Sequence, residues 1–212
     1  MQRGLLWSAS VVALLAIEAG ASRPSGPMVL TVDAANSQVV ILVGKAGLFG
    51  FAGHAHEVVA PSVRGRVVVD PADPQGASVS LEFDSSAMRV TGKGESPADA
   101  DAVQHTMLGE QVLDVKRFPS ITFQSRHVSI STRTLNAAQV AIDGDLTLHG
   151  ATRPVTVRAD VKLEEGNHFT AEGAFSFKQT DFGMVPVTAA AGTIRVKDQL
   201  DVKFVLRGSS AQ

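Results

Sequence analysis

The sequence predicts an all-β fold, one antiparallel domain of eight or nine strands with a single helix, and three observations carry that expectation. From Val140 to Lys178 apolar residues recur at alternate positions: Val140, Ile142, Leu146 and Leu148, then Val155, Val157, Ala159, Val161 and Leu163, then Phe169, Ala171, Phe175 and Phe177. Thr156, Arg158, Asp160, Lys162 and Glu164 stand between them, and because strand side chains alternate between faces, each segment has one apolar and one wet side. The breaks carry turn chemistry, His149-Gly150 through Pro154 and Glu165-Gly166-Asn167, so three neighbouring strands form a meander. Helical spacing is convincing in one stretch only, between Ser96 and Leu113.

Taken in order, residues 1–21 read as a secretory signal. Arg3 supplies the positive end, Leu5 to Ile17 an apolar run too short to span a bilayer comfortably, and Ala19-Gly20-Ala21 a small-residue cleavage site. The mature chain is then expected in the periplasm or outside the cell, beginning near Ser22, with no later apolar run of membrane-spanning length. Residues 22–28 form a Pro/Ser/Gly leader expected to be mobile. Residues 29–32 and 38–44 read as strands; the second is a continuous apolar run that periodicity cannot orient. Glycine at 47, 50 and 53 makes residues 45–58 a bent strand or a rim loop.

Val63, Gly65, Val67 and Val69 face one way on the next strand, which Pro71 to Gly76 closes as a turn. Val79, Leu81 and Phe83 alternate on the one after, and Met88 to Thr91 is a short addition. The helix follows: Ser96 caps it, Asp99 stands three positions on and Pro97 occupies its first turn, with Leu108, Val112 and Phe118 expected to hold it across an opening of the sheet. Ile121 to Ile130 resumes the strand pattern, with Ile121 and Phe123 inward. Residues 193–196 and 200–206 read as the last two strands. No second domain is expected: the β domain occupies 29–208 and residues 209–212 are a tail. A single apolar face over so many twisted strands must be covered by a second sheet or close on itself.

A formal charge of −2 and the lack of any basic run give no nucleic-acid surface. The absence of cysteine removes disulfides, thiolate metal sites and thiol catalysis. His54 and His56, two apart on a strand, share a face and could share a metal. A third ligand is not specified by the sequence, and hydrogen bonding within a Gly-rich turn is the plainer reading. Asp143 and Asp145 flank Gly144 on an outward face, where carboxylates are usually solvated. No Gly-x-Ser-x-Gly elbow or phosphate loop is present. Eight of the phenylalanines, at 49, 51, 83, 123, 169, 175, 177 and 204, are either a solid core or the wall of an apolar cavity, and only the enclosed volume distinguishes the two.

Four segments together resemble the YceI-like family of exported polyisoprenoid-binding proteins. Phe118-Pro119-Ser120-Ile121-Thr122-Phe123-Gln124-Ser125 is similar to the segment after the family's helix, and Gly144-Asp145-Leu146-Thr147-Leu148-His149-Gly150-Ala151-Thr152-Arg153-Pro154-Val155 to its Gly-Asp-Leu-Thr-x-His-Gly segment nearly throughout. Thr180 to Met184 resembles its Asp-Phe-Gly turn, and Val69 to Pro74 its turn after an early strand. The Gly53-His54-Ala55-His56 segment resembles one branch of the family only.

The resemblance implies an antiparallel eight-stranded lipocalin-like barrel with one helix at an opening, an isoprenoid or quinone-type lipid as ligand and partner, no cofactor beyond it, and no catalytic residues. On that reading Val67, Val69, Val79, Leu81, Phe83, Phe123, Ile142, Leu146, Val157, Phe175 and Phe177 line the pore. The rival expectations are a metal-dependent protein using His54 and His56, and a closed-core β protein acting through its surface in a stress response.

Overall fold

A computed structural model describes residues 26–46, 55–70, 72–189 and 194–210. Among the described residues the strands are β1 (Met28–Val32), β2 (Gln38–Ala46), β3 (His56–Val59), β4 (Val63–Val69), β5 (Ser78–Asp84), β6 (Arg89–Val90), β7 (Ser120–Arg133), β8 (Ala137–Leu148), β9 (Ala151–Glu164), β10 (His168–Lys178), β11 (Thr188–Ala189) and β12 (Ile194–Ser210), with one α-helix, α1 (Pro97–Leu108). Every pairing is antiparallel. The order β1-β4-β5-β7-β8-β9-β10-β12 closes when β12 returns to β1, Leu30 opposite Ser210, making an eight-stranded barrel.

The short strands complete three of the staves. β12 pairs first with β2 and then with β1, β2 pairs with β3, and β3 with β6, so β1/β2, β3/β4 and β5/β6 are each one stave broken in two. Each break has a local cause. Between β1 and β2 the Asp33 carboxylate accepts from the backbone N–H of Ala35 at 2.9 Å, turning the chain through Ala34–Asn36. Pro61, which lacks a backbone donor, separates β3 from β4, and Asp84 caps the turn Ser85–Ala87 between β5 and β6.

Two expectations about strand ends are corrected. The stretch read as two strands at 193–196 and 200–206 is the single strand β12, whose register shifts between Val196 and Leu200. The polar residues there are a bulge rather than a turn. The β8–β9 connection is only His149-Gly150, with φ of 51° and 74°, and β9 begins at Ala151. Positive φ at both residues matches the twist of the strands and makes the tightest hairpin. Pro154 therefore lies inside β9, opposite Asp145; β10 pairs with β9 only from Arg158 onward, so the missing N–H costs no ladder bond on that side.

The helix starts as its sequence predicts, with Ser96 Oγ accepting from the Asp99 backbone N–H at 3.2 Å and Pro97 in the first turn. None of its residues is buried. It covers an opening instead of entering a core, and Gln104 fastens it: its amide donates to the Met88 carbonyl at 2.9 Å and its carbonyl accepts from Val90 N–H at 2.8 Å. One side chain thus supplies both halves of the pairing that the short strand β6 lacks on that side. Phe118, expected to help hold the helix, packs on the β8–β9 turn. Its ring lies under Gly150 and edge-on to His149, 5.1 Å between centroids, bracing the β8–β9 turn.

Candidate functional site

The barrel is hollow. Its interior holds an apolar cavity of about 1470 Å³, well above the roughly 300–1,000 Å³ of ordinary small-molecule sites. The phenylalanines explain why the space is not filled. Phe123 lies over Gly144, Phe204 over Gly173 and Phe169 over Gly208, each ring where a Cβ on the facing strand would collide with it. Glycine opposite an aromatic lets the ring lie flat along the wall, so large side chains coat the interior without meeting at its centre.

All eleven side chains expected to line a pore do line this cavity: Val67, Val69, Val79, Leu81, Phe83, Phe123, Ile142, Leu146, Val157, Phe175 and Phe177. They come from β4, β5, β7, β8, β9 and β10, so the walls are shared around much of the barrel. Leu30, Val32, Val39, Ile41 and Val58 also line it and were not singled out. Alternation within 28–32 carried the signal for the first two. The continuous run of β2 hid Val39 and Ile41, which only pairing with β12 orients inward.

The two ends differ. At one, Ala102, Val103, Thr106 and Met107 of α1, with Val112, Leu113 and Met184, close over the cavity. At the other, the β7–β8 and β9–β10 turns contribute Thr134, Leu135, Asn136, Glu165, Gly166 and Asn167, and Leu135 is 72% exposed.

Of the two histidines expected at the Gly-rich segment, His54 lies outside the described residues. His56 lines the cavity at the helix end, and its Nδ1 is 2.9 Å from Oε1 of Glu95. Sequence reasoning missed Glu95, which is far along the chain and carries no motif. Its side chain is only 2% exposed, and Oε2 has no hydrogen-bond partner among the described residues. No group of three or more metal-ligating side chains occurs among the described residues. Asp143 accepts from Thr156 Oγ1 at 2.5 Å and Asp145 sits 3.6 Å from Arg126, both on the outer face.

A model of the YceI-like domain matches residues 30–207. The chain belongs to the YceI-like family. This YceI-like chain is 28% identical over 135 residues to a UPF0312 protein of Pseudomonas putida, covering 61% of this chain and 64% of that protein, slightly under two thirds of the relative's length. Among solved structures, BcnA of Burkholderia cenocepacia superposes with a TM-score of 0.63 at 22% identity, covering 83% of this chain and 98% of BcnA. A polyisoprenoid-binding domain from Saccharophagus degradans, described as implicated in plant cell wall breakdown, gives a TM-score of 0.61 at 12% identity, with 87% and 99% covered. At such identities the likeness is one of fold. No helix among the described residues is long and apolar enough to cross a membrane.

Proposed function

We propose that this YceI-like chain is an exported binding protein that holds an amphiphile with a long apolar tail, of isoprenoid or quinone type, inside the barrel, for sequestration, storage or transport and without catalysis. The single observation that carries the reading is the hollow apolar interior of about 1470 Å³. Twelve residues of β8 extend about 40 Å along the strand, or about 30 Å along a barrel axis tilted by the usual angle, so the space suits a chain better than a compact ligand. Each Å² of tail removed from water contributes about 25 cal/mol, a driving force that needs no polar specificity. The solved polyisoprenoid-binding domain of the same fold supports the choice of tail. Export rests on residues 1–21, which have the charge, length and small-residue end of a secretory signal. The closed-core alternative requires a filled interior, and the open volume speaks against it.

The test is to express the chain with its N-terminal segment, purify it from the exported fraction without detergent, and identify extracted lipids by mass spectrometry. A prenyl-tailed lipid at near one per protein is expected. Repeated recovery without lipid, together with failure to take up an added prenyl alcohol, would overturn the proposal.

A further inference from the structure

We propose that His56 and Glu95 form the subsite for the polar head of the ligand, and that the head they select is a hydroxyl, an alcohol or phenol, over a quinone carbonyl or a phosphate ester. This deepens the lipid-binding reading and rests on it. His56 is carried by β3 onto a cavity wall otherwise made there of apolar groups such as Val43, Val58 and Met88. Glu95 stands just before the helix cap, its backbone N–H bonded to the Gly92 carbonyl at 3.0 Å, and its carboxylate meets His56 Nδ1 at 2.9 Å.

The partner on Nδ1 decides what the ring offers on its other side. A carboxylate accepts, so Nδ1 carries the proton and Nε2 is the ring nitrogen left for a ligand; in the neutral tautomer Nε2 is an acceptor. The second carboxylate oxygen, Oε2 of Glu95, is enclosed and has no hydrogen-bond partner among the described residues. Buried polar atoms are nearly always paired, and what a carboxylate oxygen lacks is a donor. Oε2 therefore calls for a proton donor, and so does Nε2 in the neutral tautomer of the ring. A hydroxyl supplies one to Nε2. A quinone carbonyl has none, and a phosphate ester would bring negative charge beside a buried carboxylate without a cation to offset it. Arg133, on the hairpin side, is the one lysine or arginine lining the cavity among the described residues. In this arrangement the head is held at the helix end and the tail runs toward the hairpins, with Glu95 as a positioning residue that fixes the ring and its proton.

The experiment titrates delipidated full-length mature protein with three probes that share one prenyl tail: the alcohol, its methyl ether and its phosphate ester. The alcohol is expected to bind about tenfold tighter than the ether, the worth of one hydrogen bond to a desolvated group. His56→Phe should bring that ratio close to one, and Glu95→Gln should reduce it. Equal binding of alcohol and ether by the wild type would overturn the head subsite while leaving the lipid-binding reading intact, as would a ratio that survives in a folded His56→Phe protein. If His56→Phe does not fold, the wild-type ratio decides alone. Binding of none of the three would overturn both readings.

Discussion

At the helix end of the barrel, side chains take over where the strands run out of partners. Gln104 pairs with the backbone of Met88 and Val90, Gln179 donates to the Lys197 carbonyl at 2.8 Å, Ser85 donates to the Phe118 carbonyl at 2.7 Å, and Phe182 is 1% exposed beneath them. At the hairpin end, β7 meets β8 and β9 meets β10 through turns bonded mainly to themselves, such as Ala137 N–H to Thr134 Oγ1 at 3.1 Å, and their residues face solvent. The same barrel is thus plugged at one end and merely fringed at the other. Stability should be concentrated at the plug, and tolerance for a protruding tail at the fringe.

The sharpest contrast in stability should come from Phe182→Ala. Phe182 packs edge-on to Phe177 at 5.2 Å in the closed end, and its loss should cost about 3–5 kcal/mol in denaturant unfolding. A cost under about 1 kcal/mol would mean that the plug is not where the fold is held. The next contrast uses one substitution at both ends. Gly150 and Gly166 have nearly the same left-handed conformation, φ 74° and 73°, but a Cβ on Gly150 would strike the Phe118 ring, whereas on Gly166 it would meet only the edge of the His168 side chain. Gly150→Ala should cost about 2–4 kcal/mol and Gly166→Ala about 1 kcal/mol. Equal costs would break the comparison.

Leu135→Asp probes the fringe directly. With 72% of Leu135 exposed, melting should change by no more than about 0.5 kcal/mol, while affinity for tails longer than the barrel falls about threefold as the rim loses apolar surface. The smallest effect concerns acid. Asp198, in the β12 bulge, accepts from the backbone N–H of Thr180 at 2.9 Å and from its hydroxyl at 2.7 Å, and these bonds hold its carboxyl below the usual carboxylate range. Because the folded value is depressed, the stability it supplies is present above the unfolded value and is lost as pH falls through the folded one. Asp198→Asn should therefore lower the melting temperature slightly near neutrality, by about 1–2 °C, with the difference from wild type vanishing in acid.

How much of this was legible in the sequence depended on the period of two. Where apolar and polar residues alternate, as in β4, β5 and β7 to β10, the inward side chains were readable, and all eleven reach the cavity. Where the run is continuous, as in β2, the facing was not readable, because only the neighbouring strand selects it. The hollow itself was not legible either. A phenylalanine on an inward face has the same pattern whether it meets another ring or lies over a glycine, and the pairs Phe123 with Gly144, Phe204 with Gly173 and Phe169 with Gly208 exist only once register is set. The pairing of His56 with Glu95 was hidden for the same reason: 39 positions separate them. His149-Gly150 announced a turn, but its two-residue length was obscured by Pro154, which looks like a breaker until the end of the β9–β10 ladder is known.

The central claim is that apolar side chains enclose space for a tail. Ala159 is buried in the wall of the cavity on β9, between Val140 and Gly173 on the flanking strands, where a large ring would project across the interior. The most direct measurement is therefore the lipid content and prenyl-alcohol affinity of Ala159→Trp beside the wild type, with folding checked by circular dichroism. A folded variant that has lost its lipid and binds the probe about a hundredfold more weakly is the expected result. A folded variant that keeps the same lipid at the same occupancy would contradict the account.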